Sequence, residues 1–401
     1  MNTQKELDFL KIENKMEERY KVFQRILNEE KCFKMICGAG NEDKHHVKKL
    51  AFIYTLAGAK VLDVSANIDV VKAAGEGIDL AFHYSLELGI NLVTRPFIMV
   101  SIGMPGDHHV RKSYIDPNTC VSCGLCAPVC PTNAIPFGFE TNLNYYINLG
   151  SSFENEDPNK EIVIKDLCIG CGKCSSICPK DNIISYRHNE RQLRELLPQC
   201  LEAGAETFEL HAAVGEHEVT MKEWELINEI NPYNFNSMCL DRLNLGNLNL
   251  EYRIEEAKNI AKNKLIIQAD GYPMSGGSDD YNTTLQAIST ADVINKKFNI
   301  RIDKKSVKKD GDKVIINKVY RAHGHHQGIY IVLSGGTNSH SKKLAEMVGV
   351  RCNGIAIGTF ARNIIEEYID NPNFYNDINL IKLAYIKAKE LVINNIGEIN
   401  E

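Results

Sequence analysis

Short runs rich in β-branched and aromatic residues alternate along this chain with longer segments in which apolar positions recur every three or four residues. The first pattern predicts strands and the second amphipathic helices. Strands are expected at Phe33 to Gly38, Lys60 to Ala66, Phe97 to Gly103, Thr207 to Ala213, Asn236 to Arg242, Lys264 to Asp270, Ile329 to Ser334 and Gly354 to Gly358. Helices are expected at His45 to Ala59, Ile68 to Gly89, Arg191 to Gly204, Val219 to Ile230, Tyr252 to Asn263, Tyr281 to Phe298 and Ser339 to Gly349, with a last one beginning near Phe360. Eight strands alternating with eight helices is the pattern of an α/β chain folded as a (β/α)8, TIM-barrel-like domain. An open, doubly wound sheet shares the alternation. The barrel is preferred because the count reaches eight, and because Asp63, Glu209, His211, Asp241, Gln268 and Asp270 fall toward strand ends, which a barrel gathers at its C-terminal mouth.

The alternation is interrupted after the third strand by a block from about Pro105 to Arg187, so the chain divides as follows. Residues 1–31 hold an amphipathic helix in which Leu7, Leu10, Met16, Phe23, Ile26 and Leu27 recur near helical spacing. Residues 32–104 and 188–370 form the barrel, 105–187 form an inserted domain, and 371–401 end in a packing helix over Asp377 to Ile396. A second insertion, 299–328, places Lys304, Lys305, Lys308, Lys309, Lys313 and Lys318 around an Asp310-Gly311 turn and reads as a basic hairpin in an αβ connection. Within 105–187, the polar stretch Ser151 to Lys160 reads as a solvated loop. His323, His325 and His326 follow the basic segment; a solvated polar loop describes them better than a metal site.

The inserted block carries the chemistry. Cys120, Cys123, Cys126 and Cys130 precede Pro131, and Cys168, Cys171, Cys174 and Cys178 precede Pro179, both as CxxCxxCxxxCP. In this spacing three thiolates hold one cubane while the fourth reaches a second, so the runs predict two 4Fe-4S clusters in an α+β ferredoxin-like domain. Cys120, Cys123, Cys126 and Cys178 are expected on cluster 1, and Cys168, Cys171, Cys174 and Cys130 on cluster 2. Zinc is the rival, but structural zinc sites draw their ligands as two separated pairs. Of the 13 cysteines, the remaining Cys32, Cys37, Cys200, Cys239 and Cys352 are scattered and show no pairing pattern, which reads as reduced, cytoplasmic thiols. No stretch approaches the roughly 20 apolar residues of a membrane span, and a net charge of -6 disfavours a nucleic-acid role.

The mouth offers a second candidate site. Ser334-Gly335-Gly336-Thr337 follows the seventh strand and Gly358-Thr359 the eighth, where barrels often bind phosphate on backbone N–H groups and a helix start. The candidate residues are Gly335, Gly336, Thr337, Gly358 and Thr359. The bland alternative is that the glycines make tight turns. The sixth strand leads through Asp270 into a glycine-rich stretch ending at Gly277 that suits a binding loop. Asp270 by itself, without a visible partner, is weak evidence for acid-base chemistry.

With these residues in view, the chain resembles the light-dependent-period (LdpA) iron-sulfur proteins. The likeness runs through KMICGAGNEDKHHVKKLAFIYTLAGAKVLDVSA, both cysteine runs, IIQADGYPMSGG and IVLSGGTNSHSKKLAEMVGVRCNGIAIGTFAR. It implies two 4Fe-4S clusters and redox sensing coupled to a regulatory output, with the eight cysteines as ligands. The basic 299–328 segment is a departure from that family.

Two functions follow. In one, the clusters transfer electrons or sense redox state through a partner protein, with the barrel as scaffold or reporter. In the other, the barrel is an oxidoreductase whose mouth holds flavin mononucleotide (FMN) or a phosphorylated small molecule fed with electrons by the clusters. A lesser reading has the Lys304 to Lys318 hairpin dock an acidic partner.

Overall fold

The computed structural model describes residues 16–104, 112–136, 162–164, 167–168, 172–180, 183–186, 190–271, 277–310, 313–320 and 328–398, with backbone alone for 301–320. Cys171, the 151–160 stretch, residues 272–276 and His323, His325 and His326 lie outside them.

Eight parallel strands close into a barrel. They are β1 (Cys32–Gly38), β2 (Val61–Ser65), β3 (Phe97–Gly103), β6 (Thr207–His211), β7 (Asn236–Asp241), β8 (Leu265–Asp270), β11 (Tyr330–Ser334) and β12 (Gly354–Ile357). Around the barrel the order is β1, β12, β11, β8, β7, β6, β3, β2. Between β3 and β6 in the chain come β4 (Ser113–Ile115) and β5 (Ile184–Tyr186), and between β8 and β11 come β9 (Ile300–Asp310) and β10 (Lys313–Tyr320).

Every barrel strand is buried on both faces, and the two faces differ in kind. Phe33, Leu62, Val64, Val100, Phe208, Leu210, Met238, Leu240, Ile267, Leu333 and Ile355 belong to the large core shared with the outer helices. Their alternating neighbours face the barrel interior, because successive side chains of a strand point to opposite faces. The lower interior is apolar, built from Cys32, Val61, Phe97, Met99, Phe235, Ile266, Tyr330 and Val332. The upper interior is polar: Lys34, Asp63, Ser101, Glu209 and Gln268 are all at most 3% exposed. The structure therefore sets Asp63, Glu209 and Gln268 inside the barrel rather than at its rim.

The helix over residues 16–28 closes the lower end. Phe23, Ile26 and Leu27 join the apolar interior; Phe23 stacks on Phe97 with ring centroids 4.5 Å apart, and Arg19 forms a two-pronged pair with Glu206 at 2.6 and 2.7 Å. The C-terminal helix, Ile378–Ile396, buries Ala384, Ala388, Leu391 and Val392 and packs against the helix Lys44–Ala57. With the lower end sealed, the strand C-termini are the open end, and the cysteine block leaves from that end of β3.

Several boundaries differ from the sequence reading for local reasons. The helix expected from Tyr252 begins at Arg242 because the Asp241 carboxylate accepts the Asn244 N–H at 2.7 Å and caps it, with a break at Gly246 (φ 68°, ψ 169°). Asp241 is thus spent on a cap and does not join the mouth residues. The helix expected from Tyr281 begins at Leu285, since the Asp280 carboxylate accepts from the N–H groups of Asn282 and Thr283 and fixes a turn before it. Its end widens to a π-turn over Asn295–Asn299 that leads into an antiparallel β9–β10 hairpin.

Candidate functional site

The inserted segment is organised around its cysteines. β4 and β5 pair antiparallel, Ser113 with Tyr186 and Ile115 with Ile184. Over them lies a separate small core of Ile115, Cys126, Ala127, Ala134, Ile135, Ile162, Val163, Cys168, Cys174 and Ile183. Tight turns between ligand positions require left-handed backbone, supplied by Gly124 (φ 74°) and Gly172 (φ 84°) and adopted also by Ser122 (φ 51°). Gly172 opens the short helix Lys173–Ile177, which carries Cys174.

The two runs interlock. One apolar cavity is lined by Cys120, Cys123, Cys126 and Cys178 together with Ile115, Val121, Leu125 and Ile183. Three thiols of the first run and the last thiol of the second thus converge on one space, which fits a cubane with four thiolate ligands. Of the other set, Cys168 and Cys174 are buried and Cys130 half-buried. The Ser113 N–H donates to Cys168 Sγ at 3.2 Å, Ser113 Oγ lies 3.3 Å from Cys174 Sγ, and the Ala134 N–H donates to Cys130 Sγ at 3.2 Å. Burial alone would raise the Cys130 thiol, but the backbone N–H groups of Thr132, Ala134 and Ile135 and the Thr132 hydroxyl outweigh it and lower its pKa, favouring the ligating thiolate. Around Cys120 the one sulfur bond among the described residues comes from the Ser122 N–H at 3.4 Å. The sets differ also in exposure: Cys123 is exposed, with Val121 54% and Leu125 48% exposed beside it.

None of the described cysteines is in a disulfide. Burial pushes Cys32, Cys37 and Cys200 up to about 12 and Cys352 up to about 11, so these four are inert, packed thiols.

The barrel interior holds a second constellation. Lys34 Nζ lies 2.8 Å from Asp63 Oδ2, 2.6 Å from Glu209 Oε2 and 2.8 Å from Gln268 Oε1. Burial disfavours its charge, but the two carboxylates more than compensate and raise its pKa. Burial raises Asp63, whereas for Glu209 burial is outweighed by Lys34 and His211 and the pKa falls. Ser101 Oγ donates to Asp63 Oδ1 at 2.5 Å. Toward the mouth, His211 Nε2 stands 3.4 Å from Glu209 Oε1, and the Cys239 thiol donates to Asp270 Oδ2 at 2.7 Å. Burial raises Asp270 to about 6, against the opposing bonds from Cys239 and Ser334. Asp270 therefore has partners that the sequence did not reveal. Lys34, a single lysine inside an apolar strand, carries no signal of this role in the sequence. Cys239 reads there as one of the scattered thiols, although its two-residue spacing from Ser237 sets both on one strand face.

The mouth loops lie on adjacent strands β11 and β12. Gly335 (φ 65°) and Gly336 (φ 74°) take left-handed backbone, and a Cβ at Gly335 would sit 2.7 Å from the Gly271 backbone. The Thr337 hydroxyl donates to the Ala356 carbonyl at 2.5 Å, so it serves the loop itself. Gly358 precedes the helix Thr359–Ile369 with no side-chain cap. Arg362, unremarked in the sequence, bridges the Ile36 carbonyl at 3.0 Å and Thr359 Oγ1 at 3.2 Å, which brings a guanidinium to the Gly358 turn.

Residues 113–135 and 161–184 match the family model of the 4Fe-4S binding domain. Together with the closed barrel, this defines an iron-sulfur protein whose (β/α)8 barrel carries a ferredoxin-type segment in a βα connection. Within that class the chain is similar to Light dependent period A from Synechococcus elongatus, 28% identical over 348 residues, which are 84% of this chain and 82% of that protein. A ferredoxin of Streptomyces griseus is 39% identical over 51 residues, 10% of this chain and 49% of the ferredoxin. Among solved structures, QR15, an aldolase, covers 83% of this chain and 91% of its own at 8% identity and a TM-score of 0.39, too loose a likeness to transfer chemistry. No helix among the described residues is long and apolar enough to cross a membrane.

Proposed function

We propose that this protein moves single electrons through two 4Fe-4S clusters, in electron transfer or redox sensing coupled to a regulatory output through a redox partner protein in the cytoplasm. Cys120, Cys123, Cys126 and Cys178 would hold cluster 1, and Cys168, Cys171, Cys174 and Cys130 cluster 2. When bound, such clusters accept and release one electron at a time. The observation that carries this reading is the convergence of Cys178 with Cys120, Cys123 and Cys126 on one apolar cavity. The residues around each set have distinct work. Val121, Leu125 and Cys123 present the first set to solvent, which suits exchange with a partner. Ser113 and Ala134 donate to sulfurs of the second set and so favour its reduced, more negative state.

The test is anaerobic purification with iron and sulfide counting, followed by redox titration with a partner-binding assay at each poise. About eight irons per chain are expected from two cubanes. A partner affinity that follows the poise supports sensing; reversible reduction without it leaves electron transfer. Zinc in the cysteine sites would overturn both.

A second reading rests on the loops after β11 and β12, with Arg362 at the Gly358 turn and left-handed backbone at Gly335 and Gly336. Those groups suit the phosphate of FMN or of a phosphorylated substrate, which would make the barrel an oxidoreductase. A flavin absorbance band, or thermal stabilisation by inorganic phosphate that Arg362→Met abolishes, supports it. Protein free of flavin and indifferent to phosphate speaks against it.

A further inference from the structure

We propose that Glu209, His211 and Cys239, with Asp270 as a fourth donor, form a site for one divalent transition-metal ion, best suited to zinc, inside the mouth of the barrel and separate from the cluster cysteines.

Donor atoms of Glu209, His211 and Cys239 all lie within 4.8 Å of one another. A tetrahedral zinc ion needs its ligands about 2.0–2.3 Å from the metal, so closure asks only for side-chain rotation. The residues come from the adjacent strands β6 and β7, where the barrel register sets His211 beside Cys239. A one-residue slip of β6 would turn Glu209 and His211 into the outer core, and a slip of β7 would do the same to Cys239. Asp270, on the next strand, already contacts Cys239 Sγ. Its other oxygen, Oδ1, is buried without a well-aligned hydrogen-bond donor among the described residues. A carboxylate oxygen without such a donor, in a residue 3% exposed, is costly unless something positive is directed at it.

The chemistry selects the ion. One imidazole nitrogen, one sulfur and carboxylate oxygens form a mixed, borderline set that suits zinc better than magnesium or calcium, which take oxygen alone. Charge agrees: two buried carboxylates, Asp63 and Glu209, share one ammonium, Lys34, and a third, Asp270, is buried against Cys239. Lys34 occupies Glu209 Oε2, which leaves Oε1 on the His211 side for the metal. Binding converts the Cys239 thiol to a thiolate, and its proton leaves to solvent. Gln268 and Ser101, through Lys34 and Asp63, hold the inner carboxylates in place as supports behind the ligands.

The experiment uses anaerobically purified holoprotein exposed to one equivalent of zinc and desalted. Zinc and iron are counted in the same sample, and zinc X-ray absorption reports the ligand shell. The expected result is about one zinc per chain with iron unchanged, and one sulfur at about 2.3 Å among nitrogen and oxygen neighbours. Cys239→Ser should remove the sulfur shell, and His211→Gln should weaken zinc binding at least about tenfold. Both variants should keep the wild-type cluster spectrum; should one fail to fold, the other still decides. Zinc below a tenth of an equivalent, equal zinc affinity in His211→Gln, or a shell of four sulfurs, which would mean zinc in the cluster cysteines, each overturns the proposal.

Discussion

Lys34 Nζ reaches Glu209 Oε2 at 2.6 Å across the inside of the barrel, joining β1 to β6, three strands away. Both side chains are at most 3% exposed, and with Asp63 at 2.8 Å they form a buried triad of one cation and two carboxylates. Such groups add little net stability over an apolar isostere, but removal of one member strands the others.

Lys34→Met should therefore be far more damaging than its shape implies. A loss of about 3–5 kcal/mol is expected from an uncompensated buried charge, and adding Glu209→Gln should recover part of it. Urea unfolding of the parent, both single variants and the double variant measures the cycle. A Lys34→Met protein as stable as the parent would show that the triad is not ionised.

Ser113 touches Cys168 and Cys174 at once, so the second cluster should have the higher potential of the two. Ser113→Ala deletes only the hydroxyl contact, and the potential of that cluster should fall by some tens of millivolts, given about 59 mV for each tenfold change in a one-electron equilibrium. Potentiometric titration followed by electron paramagnetic resonance resolves the two clusters. Equal shifts in both, or none, would count against the assignment.

Cys178 stands in the second run but lines the cavity of the first. Cys178→Ser should accordingly damage cluster 1, lowering iron from about eight to about four per chain, and leave the Ser113-dependent signal intact. Loss of that signal instead would reverse the pairing.

Gly335 cannot accept a side chain without displacing the Gly271 backbone, and its φ is +65°. Gly335→Ala should cost about 1–3 kcal/mol in thermal stability from backbone strain, whether or not phosphate is present. A neutral substitution would mean that the two loops are not packed back to back.

Glu30 ties the end of the N-terminal helix to Arg351 and to Lys342, the latter at 3.1 Å. Burial would raise its carboxyl, but Arg351 and Lys342 prevail and hold it below the ordinary 4.5. Its stabilisation is thus complete above pH 4.5 and is lost as pH falls through the lower folded value. The pair is partly exposed, so the effect should be under about 1 kcal/mol. Glu30→Gln should flatten the acid limb of the stability profile while leaving its neutral plateau only slightly lower.

The sequence by itself determined the strand-helix alternation, the count of eight and the two cysteine runs, because each is a local regularity: a period along one segment, or a ligand spacing within eleven residues of chain. Glu209 and His211, flanking Leu210, read from the sequence as mouth residues at a strand end, and it is the closed barrel that sets Glu209 in its interior. What the tertiary structure decided is which residues meet. Cys178 joins Cys120, Lys34 joins Glu209 and Gln268, and Cys239 joins Asp270 through barrel closure, strand register and the folding back of the insertion. Asp241 left the mouth for a local reason, as the cap of the Asn244 N–H three residues on, whereas closure brought Arg362 to the Gly358 turn through its reach to the Ile36 carbonyl. The contacts made by closure and by the folded-back insertion span tens to hundreds of residues, and no periodicity in a single segment encodes a partner at that distance.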